Sequence, residues 1–135
     1  ETYLIVNRVD DVPAGLYRYL PIEHKLLPQP AEPDLPTRIA HACLEQSFIA
    51  DSAVVFAWAA VPYRAEWRYS IVAHKMIAID AGHVCQNLYL AVEAIDAGVC
   101  AIAAYDQQAV DKVIGVDGEN EFVIYLAARI TNLIP

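Results

Sequence analysis

The hydrophobic and polar positions of this chain alternate first with the period of β-strands. Tyr3–Val9 is rich in β-branched and apolar residues, and the turn-forming residues Asp10–Gly15 follow it. Gly15–Leu20 alternates strictly between its two faces, and His24–Leu27 has the composition of a short return strand after Pro21. These segments together predict an antiparallel meander.

The next part of the chain changes from an irregular connector to buried structure. Four prolines between Pro28 and Pro36 predict a segment without regular structure. Thr37 is a suitable N-cap for a helix over Arg38–Gln46. Ala53–Val61 is apolar on both faces, which is typical of the central strand of a covered sheet. A helix of that length is the alternative, but the Val-Val-Phe run and the proline that follows favour a strand.

A long helix is predicted over Val72–Ala97, and Gly98 is the predicted left-handed residue after its end. One of its faces repeats apolar residues at helical spacing: Ile77, Ala81, Val84, Leu88, Val92 and Ile95. Apolar residues elsewhere on the helix indicate that it is buried nearly all round. Its length of about 40 Å exceeds the width of a domain of this size. We therefore expect a second subunit to cover the helix around Ile77–Ile95.

The C-terminal part predicts two strands that flank a short helix. Val99–Tyr105 is a second buried strand, and Asp106 is a plausible N-cap for the amphipathic helix Gln107–Ile114, which ends at Gly115. Phe122–Ile130 is the apolar final strand. The order of elements predicts an α+β fold, with an antiparallel or mixed sheet covered by helices.

Composition limits the chain to one domain, residues 1–135. It is 57% hydrophobic and 19% charged, which excludes a disordered chain. The apolar surplus of so small a domain is expected to lie in a subunit interface. Because the sequence enters a strand at once and has no initiator Met, we expect that residues upstream of Glu1 are removed or not represented.

Charge and cysteine content narrow the functional classes. The net charge is −8, from 17 acidic and 9 basic residues, so the basic surface that a nucleic-acid partner requires is not expected. Neither a membrane span nor a signal peptide is predicted. The three cysteines, Cys43, Cys85 and Cys100, have no C-x-x-C spacing. Reduced, buried thiols and a cytoplasmic location are the expectation.

The sequence contains no motif that by itself identifies a phosphate-binding, metal-binding or catalytic site. The sequence has no glycine-rich phosphate loop, no H-E-x-x-H and no cysteine cluster for zinc, so no metal site is predicted. No catalytic triad can be argued from residue spacing, and no catalytic residue is assigned. His83, Asn87 and Asp80 form either a ligand cluster or, with more weight, a hydrogen-bonded strip between packed helices. Trp58 and Trp67 either stack on a planar cofactor or, more commonly, fill a core.

One long motif resembles a known family. Asp80–Ala91 resembles the "aGHxxQNLyLaA" helix of the nitroreductase family and is most similar to its SagB-type branch. Four shorter segments resemble that branch in the same order along the chain: Gly15–Tyr19, His24–Leu26, Ala97–Ile102 and Ile114–Asp117. Glu121 also opens the last strand as in the family. The resemblance covers essentially the whole chain.

The resemblance implies an FMN-binding fold in which two identical subunits interleave, with the long helix at the centre of a homodimer. Members transfer hydride from NAD(P)H through flavin N5 to small molecules such as nitroaromatics or quinones, and SagB-type members include azoline dehydrogenases. By this resemblance the flavin ring would lie against the backbone at Ala103, Ala104 and Tyr105, where a strand passes into a helix. Arg129 matches a basic position that contacts the flavin phosphate.

Several departures from the family pattern support a second hypothesis. The Arg-x-Ser-x-Arg segment and the Ser-Gly-Gly loop of the family have no counterpart in these 135 residues, so the chain is expected to be N-terminally truncated relative to the family. Ala103 and Ala128 stand where relatives have glycine, and their Cβ atoms are expected to obstruct the flavin. Two expected arginines are absent from Tyr69–Met76. The first hypothesis is an FMN-dependent oxidoreductase; the alternative is a degenerate, flavin-free family member that acts as a dimeric structural or binding module.

Overall fold

A computed structural model describes residues 1–130, in which strands and helices are layered around one sheet. The strands are β1 (Thr2–Val6), β2 (Gly15–Leu20), β3 (Lys25–Gln29), β4 (Val54–Ala60), β5 (Gly98–Ile102) and β6 (Phe122–Ile130). The helices are α1 (Leu35–Ala42), α2 (Tyr63–Tyr69), α3 (Ala73–Glu93) and α4 (Gln107–Ile114), with 3-10 turns at Ser47–Ile49 and Ser70–Val72.

The sheet has the strand order β3-β2-β1-β4-β6-β5, and every neighbouring pair is antiparallel. Helices α1 and α4 cover one face, over a core that includes Ile5, Ile39, Val55, Val110, Val123 and Leu126. Helix α3 lies on the other face, where Cys85 packs with Trp58 and Ala127. The predicted α+β class is therefore confirmed, with a purely antiparallel sheet.

Most predicted elements are confirmed with small shifts. The meander β1-β2-β3 exists, although β1 ends at Val6, because the N–H groups of Asn7 and Arg8 bond to the Ala53 carbonyl instead of continuing the ladder. The central strand β4 and the final strand β6 lie where the apolar runs predicted them. Helix α4 has the predicted Asp106 N-cap, whose carboxylate accepts from the Ala109 N–H, and Gly115 follows it in the left-handed conformation.

The proline-rich segment is less irregular than predicted, so that prediction was wrong at both ends. Pro28 lies within β3, which it can do because β3 is an edge strand and needs no further ladder donor. Pro36 lies in the first turn of α1, where an N–H has no helical partner in any case. The N-cap of α1 is Asp34 rather than Thr37, and the Thr37 hydroxyl donates to the Asp34 carboxylate at 3.0 Å.

The long helix is confirmed in type and corrected in length. Helix α3 has 21 residues, about 32 Å, rather than the predicted 26 residues from Val72 to Ala97. Gly98 is not its cap: it opens β5, and Asp96 takes the positive φ of 52°. The short helix α2 was not predicted, because its sequence has no apolar repeat, and it has no buried residue.

Candidate functional site

The candidate cofactor junction lies where β5 passes into α4. The sequence predicted a strand to Tyr105, but β5 ends at Ile102, its last residue paired with β6. Ala103 and Ala104 are therefore exposed, and their backbone lies immediately before the N-terminus of α4. No hydrogen bond within residues 1–130 uses the N–H groups of Ala103 or Ala104. Free N–H groups beside a helix N-terminus suit an electron-rich ligand atom.

Two hydrogen bonds join this junction to the end of α1 and to the loop that follows α1. The Gln46 side-chain amide donates to the Ala104 carbonyl at 2.9 Å, and also to the Cys43 carbonyl at 2.6 Å. The Asp106 N–H donates to the Ala42 carbonyl at 2.8 Å. Sequence reasoning missed Gln46, because nothing in the sequence signals a contact between residues 58 positions apart.

Tyr105 contributes backbone rather than a free side chain to the junction. Its ring packs against the core, and its hydroxyl donates to the Val123 carbonyl at 3.3 Å. Burial and, after it, the nearby Asp111 carboxylate raise the pKa of Tyr105. The phenol is thus a neutral structural group at neutral pH.

Arg129 lies at the opposite end of the β5–β6 pair from this junction. Val99 is its partner in the ladder, and Ala103 lies four residues after Val99, just beyond the end of β5 and about 13 Å away. The Nε atom of Arg129 is buried and has no hydrogen-bond partner among the described residues. Its side chain lines a cavity of about 430 Å³ together with Arg8, Val92 and Ile95. Arg8, which also lines this cavity, was not identified from the sequence.

Ala128 does not face a ligand surface. Ala128 is fully buried in the core beneath α1 and α4, where its Cβ packs against apolar neighbours. The expectation that this Cβ obstructs a flavin is therefore wrong, because strand alternation points it to the opposite face from Arg129. Ala103 remains exposed at the junction.

A groove with a volume of about 840 Å³ lies between α3 and the β1–β2–β3 side of the sheet. Its floor is apolar and includes Leu4, Phe56 and Trp58, and its rim carries Lys25 and the Tyr19–His24 pair, whose hydroxyl and Nδ1 atoms are 2.8 Å apart. Trp58 is a core residue stacked near Phe56, as the more common interpretation expected.

The other polar and aromatic candidates do not converge on one point. Trp67 is 74% exposed on α2, so it forms no stacking pair with Trp58. The His83 ring approaches the Ile79 carbonyl of its own helix at 2.8 Å. Asp80 and Asn87 are also exposed on α3. Among residues 1–130, no three His, Cys, Asp or Glu side chains are grouped as a metal ion would require. No helix in that part of the chain is both long and apolar enough to cross a membrane.

An antiparallel sheet between helices places this chain among the α+β folds, here with an exposed strand-to-helix junction and a partly buried arginine on the last strand. The sequence profile described as the Nitroreductase family matches residues 1–128. The chain belongs to the nitroreductase family. It is 27% identical over 116 residues to the presumed nitroreductase MJ1384 of Methanocaldococcus jannaschii, covering 86% of this chain and 58% of the relative. The chain thus spans little more than half of that relative's length.

Solved structures are also similar to this chain. A presumed nitroreductase of Anabaena variabilis superposes with a TM-score of 0.87 at 25% identity, covering 95% of this chain and 26% of the other. The McbBCD microcin synthetase complex of E. coli, with truncated pro-MccB17 bound, gives 0.83 at 16% identity, covering 99% and 52%. The NADPH:FMN oxidoreductase of Vibrio harveyi, complexed with NAD⁺, gives 0.64 at 19% identity, covering 76% and 48%. At these low identities, the last two similarities show only that the fold is shared.

Proposed function

We propose that this protein is an FMN-dependent oxidoreductase. The observation that carries the proposal is the exposed backbone at Ala103–Ala104, whose N–H groups make no hydrogen bond within residues 1–130, in a chain of the nitroreductase family. FMN, when bound, would supply hydride transfer through its N5 atom between NAD(P)H and a small-molecule acceptor. The similarity to an NADPH:FMN oxidoreductase of known structure supports this choice of cofactor and co-substrate.

The residues present suit the two ends of an FMN molecule. At one end, the N–H groups of Ala103 and Ala104 would donate to the flavin ring, and the N-terminus of α4 would favour negative charge there. At the other end, the Arg129 guanidinium, which carries a buried Nε without a partner among the described residues, would pair with the phosphate. The separation of about 13 Å along β5 suits an extended ligand with a ring and a phosphate at opposite ends.

The substrate is proposed to be a nitroaromatic, a quinone or an azoline-type ring. The azoline option rests on the sequence resemblance to the SagB-type branch and on the fold shared with a microcin synthetase complex that holds a peptide precursor. Three free cysteines in the described chain are consistent with a cytoplasmic location, which we also propose.

The proposed active form is a homodimer through α3, in the region of Ile77–Ile95. Within α3, only Ala73, Cys85 and Val92 are fully buried by the chain itself. Large apolar side chains remain exposed along α2, α3 and the turns that flank α3, among them Tyr63, Trp67, Ile71, Ile79, Leu90 and Ile95. Exposed large apolar side chains concentrated on neighbouring helices are typical of a subunit interface.

Titration of the complete gene product with FMN tests the proposal. Quenching of FMN fluorescence on binding, and release of stoichiometric FMN on denaturation, are the expected results. Replacement of Arg129 by Gln should weaken binding about tenfold or more, because it removes a charge-assisted contact to the phosphate. A colourless protein that takes up no FMN would contradict the proposal.

The second candidate is a flavin-free family member that serves as a dimeric structural or binding module. The observation that favours it is the Ala103 side chain, which adds a Cβ at the exposed junction, at a position where the sequence resemblance implies glycine in relatives. Replacement of Ala103 by Gly discriminates between the two candidates. If the native protein binds no FMN and the Ala103→Gly variant does, the second candidate is supported; tight FMN binding by the native protein excludes it.

A further inference from the structure

Gln46 is the side chain that connects the end of α1 to the candidate cofactor junction. Its amide nitrogen lies 2.9 Å from the Ala104 carbonyl oxygen and 2.6 Å from that of Cys43. One NH₂ group can donate two hydrogen bonds, so both contacts are possible at once. Gln46 thus fixes the position of a backbone carbonyl in a loop that is otherwise exposed.

The orientation of one carbonyl determines the orientation of the next N–H. In a planar trans peptide, the C=O of one residue and the N–H of the following residue point in opposite directions. Because the Ala104 carbonyl points toward Gln46, the Tyr105 N–H points away from it. No hydrogen bond within residues 1–130 uses the Tyr105 N–H. The neighbouring Asp106 N–H is bound to the Ala42 carbonyl, which holds the peptide on the other side of Tyr105.

The backbone beside Gln46 is held in a conformation that L-residues rarely adopt. Leu44 and Glu45 have φ values of 57° and 60°, in the left-handed region. This bend takes the chain out of α1 and brings the Gln46 side chain back toward Ala104. The bend is stabilised by the Gln46 bond to Cys43 and by the contact of His41 with the Glu45 carboxylate.

We propose that Gln46 is a positioning residue for the flavin site, which acts through the Ala104 carbonyl. It holds the Ala104–Tyr105 peptide so that the Tyr105 N–H is fixed in advance as a donor to the flavin ring, beside the N–H groups of Ala103 and Ala104. Donors that are already oriented lose less entropy on binding and favour negative charge on the ring. This inference rests on the proposed function, since it requires that FMN binds at this junction.

The test compares Gln46→Glu and Gln46→Met with the native protein, using the complete gene product. Both variants keep the length of the side chain and remove its donor. We expect FMN to dissociate about tenfold more readily from each variant, as for the loss of one well-placed hydrogen bond. The midpoint potential of the FMN-saturated variants should become more negative, because negative charge on the ring is less stabilised.

Tyr3→Phe is the control. The Tyr3 hydroxyl also joins two distant segments, by donating to the Glu121 carboxylate at 2.9 Å, but it contacts neither Ala104 nor the N-terminus of α4. Its loss should lower stability and leave both the dissociation constant and the midpoint potential unchanged. Equal shifts in Tyr3→Phe, or none in the Gln46 variants, would overturn the inference while FMN binding by the native protein stands. Failure of the native protein to bind FMN would overturn the proposed function and the inference together.

Discussion

The Asp111 carboxylate accepts a 2.7 Å hydrogen bond from the backbone N–H of Val123. Asp111 is only 4% exposed, and the Gln107 side-chain amide donates to both of its oxygens, at 3.1 and 3.0 Å. The loop that leads to β6 passes close by, since a Cβ at Gly118, whose φ is +76°, would lie 3.2 Å from the carboxylate. Asp111 therefore ties α4 to the beginning of β6, next to the Tyr105 hydroxyl that bonds to the Val123 carbonyl.

Replacement of Asp111 by Ala should lower the free energy of unfolding by about 3 kcal/mol. The variant loses a charge-assisted bond and leaves the Val123 N–H buried without a partner. Urea unfolding followed by far-UV circular dichroism measures the change. Asp106→Ala is the comparison: it removes only an exposed N-cap and should cost about 1 kcal/mol. A cost for Asp111→Ala no greater than that of Asp106→Ala would contradict this role.

Acid should destabilise the protein through Asp117. The backbone N–H of Glu121, the Asn120 side chain and the Glu119 N–H hold the pKa of Asp117 well below its ordinary value of 3.8. Because the pKa is lowered in the folded state, the unfolded state takes up the proton first as the pH falls. The stabilisation by Asp117 is therefore present above about pH 4 and is lost progressively below it.

The variant Asp117→Asn isolates this dependence. Its unfolding free energy should lie below that of the native protein at about pH 6, and the difference should shrink at about pH 3. Urea midpoints of both proteins at the two pH values measure it. A difference that stays constant with pH would show that Asp117 does not titrate abnormally.

The three cysteines should differ sharply in reactivity. Burial raises the pKa of Cys43 to about 11 and also raises that of Cys85, whereas Cys100 is half-exposed on β5. Because the thiolate is the reactive form, iodoacetamide at about pH 8 should modify Cys100 first. Mass spectrometry of timed samples locates the label, and Cys100→Ser should remove the first phase. Comparable early labelling of Cys43 in the folded protein would contradict the prediction.

A charge on the outer face of α3 should dissociate the proposed homodimer. Leu90 is 63% exposed on α3, and Leu90→Glu would place a carboxylate in the interface, where its desolvation is unfavourable. Light scattering at micromolar concentration should give a dimer mass for the native protein and a monomer mass for the variant. Ile22→Glu is the control, since Ile22 is 93% exposed in the β2–β3 turn and should leave the dimer intact. A monomeric native protein, or a dimeric Leu90→Glu variant, would contradict the interface.

The local sequence predicted an element correctly where its hydrophobic and polar residues follow one clear repeat or where capping residues mark its ends. The strict alternation of Gly15–Leu20 and the caps of α4 at Asp106 and Gly115 both appear as predicted. Predictions were wrong where tertiary context replaced local preference. Pro28 became part of a strand because β3 is at the edge of the sheet, and α1 ended at Ala42 because the chain turned through two residues with positive φ.

The candidate site was only partly predictable. Resemblance to the family identified Ala103, Ala104, Tyr105 and Arg129, but the separation of Arg129 from the other three follows from the antiparallel register of β5 and β6. The burial of Ala128 likewise depends on which face of the sheet its side chain occupies in β6. Gln46 could not have been found from the sequence, because its contact with Ala104 joins two segments 58 residues apart.

The sequence by itself determined the class of fold, the long apolar helix and the family, because periodicity, capping residues and a twelve-residue motif are local properties of the chain. Tertiary structure alone decided which face each strand residue occupies, where α3 ends and which polar groups hold the Ala103–Tyr105 backbone. All three depend on strand register and on hydrogen bonds between segments that are distant in the sequence. Such contacts form only when the sheet forms, so the local sequence does not reveal them.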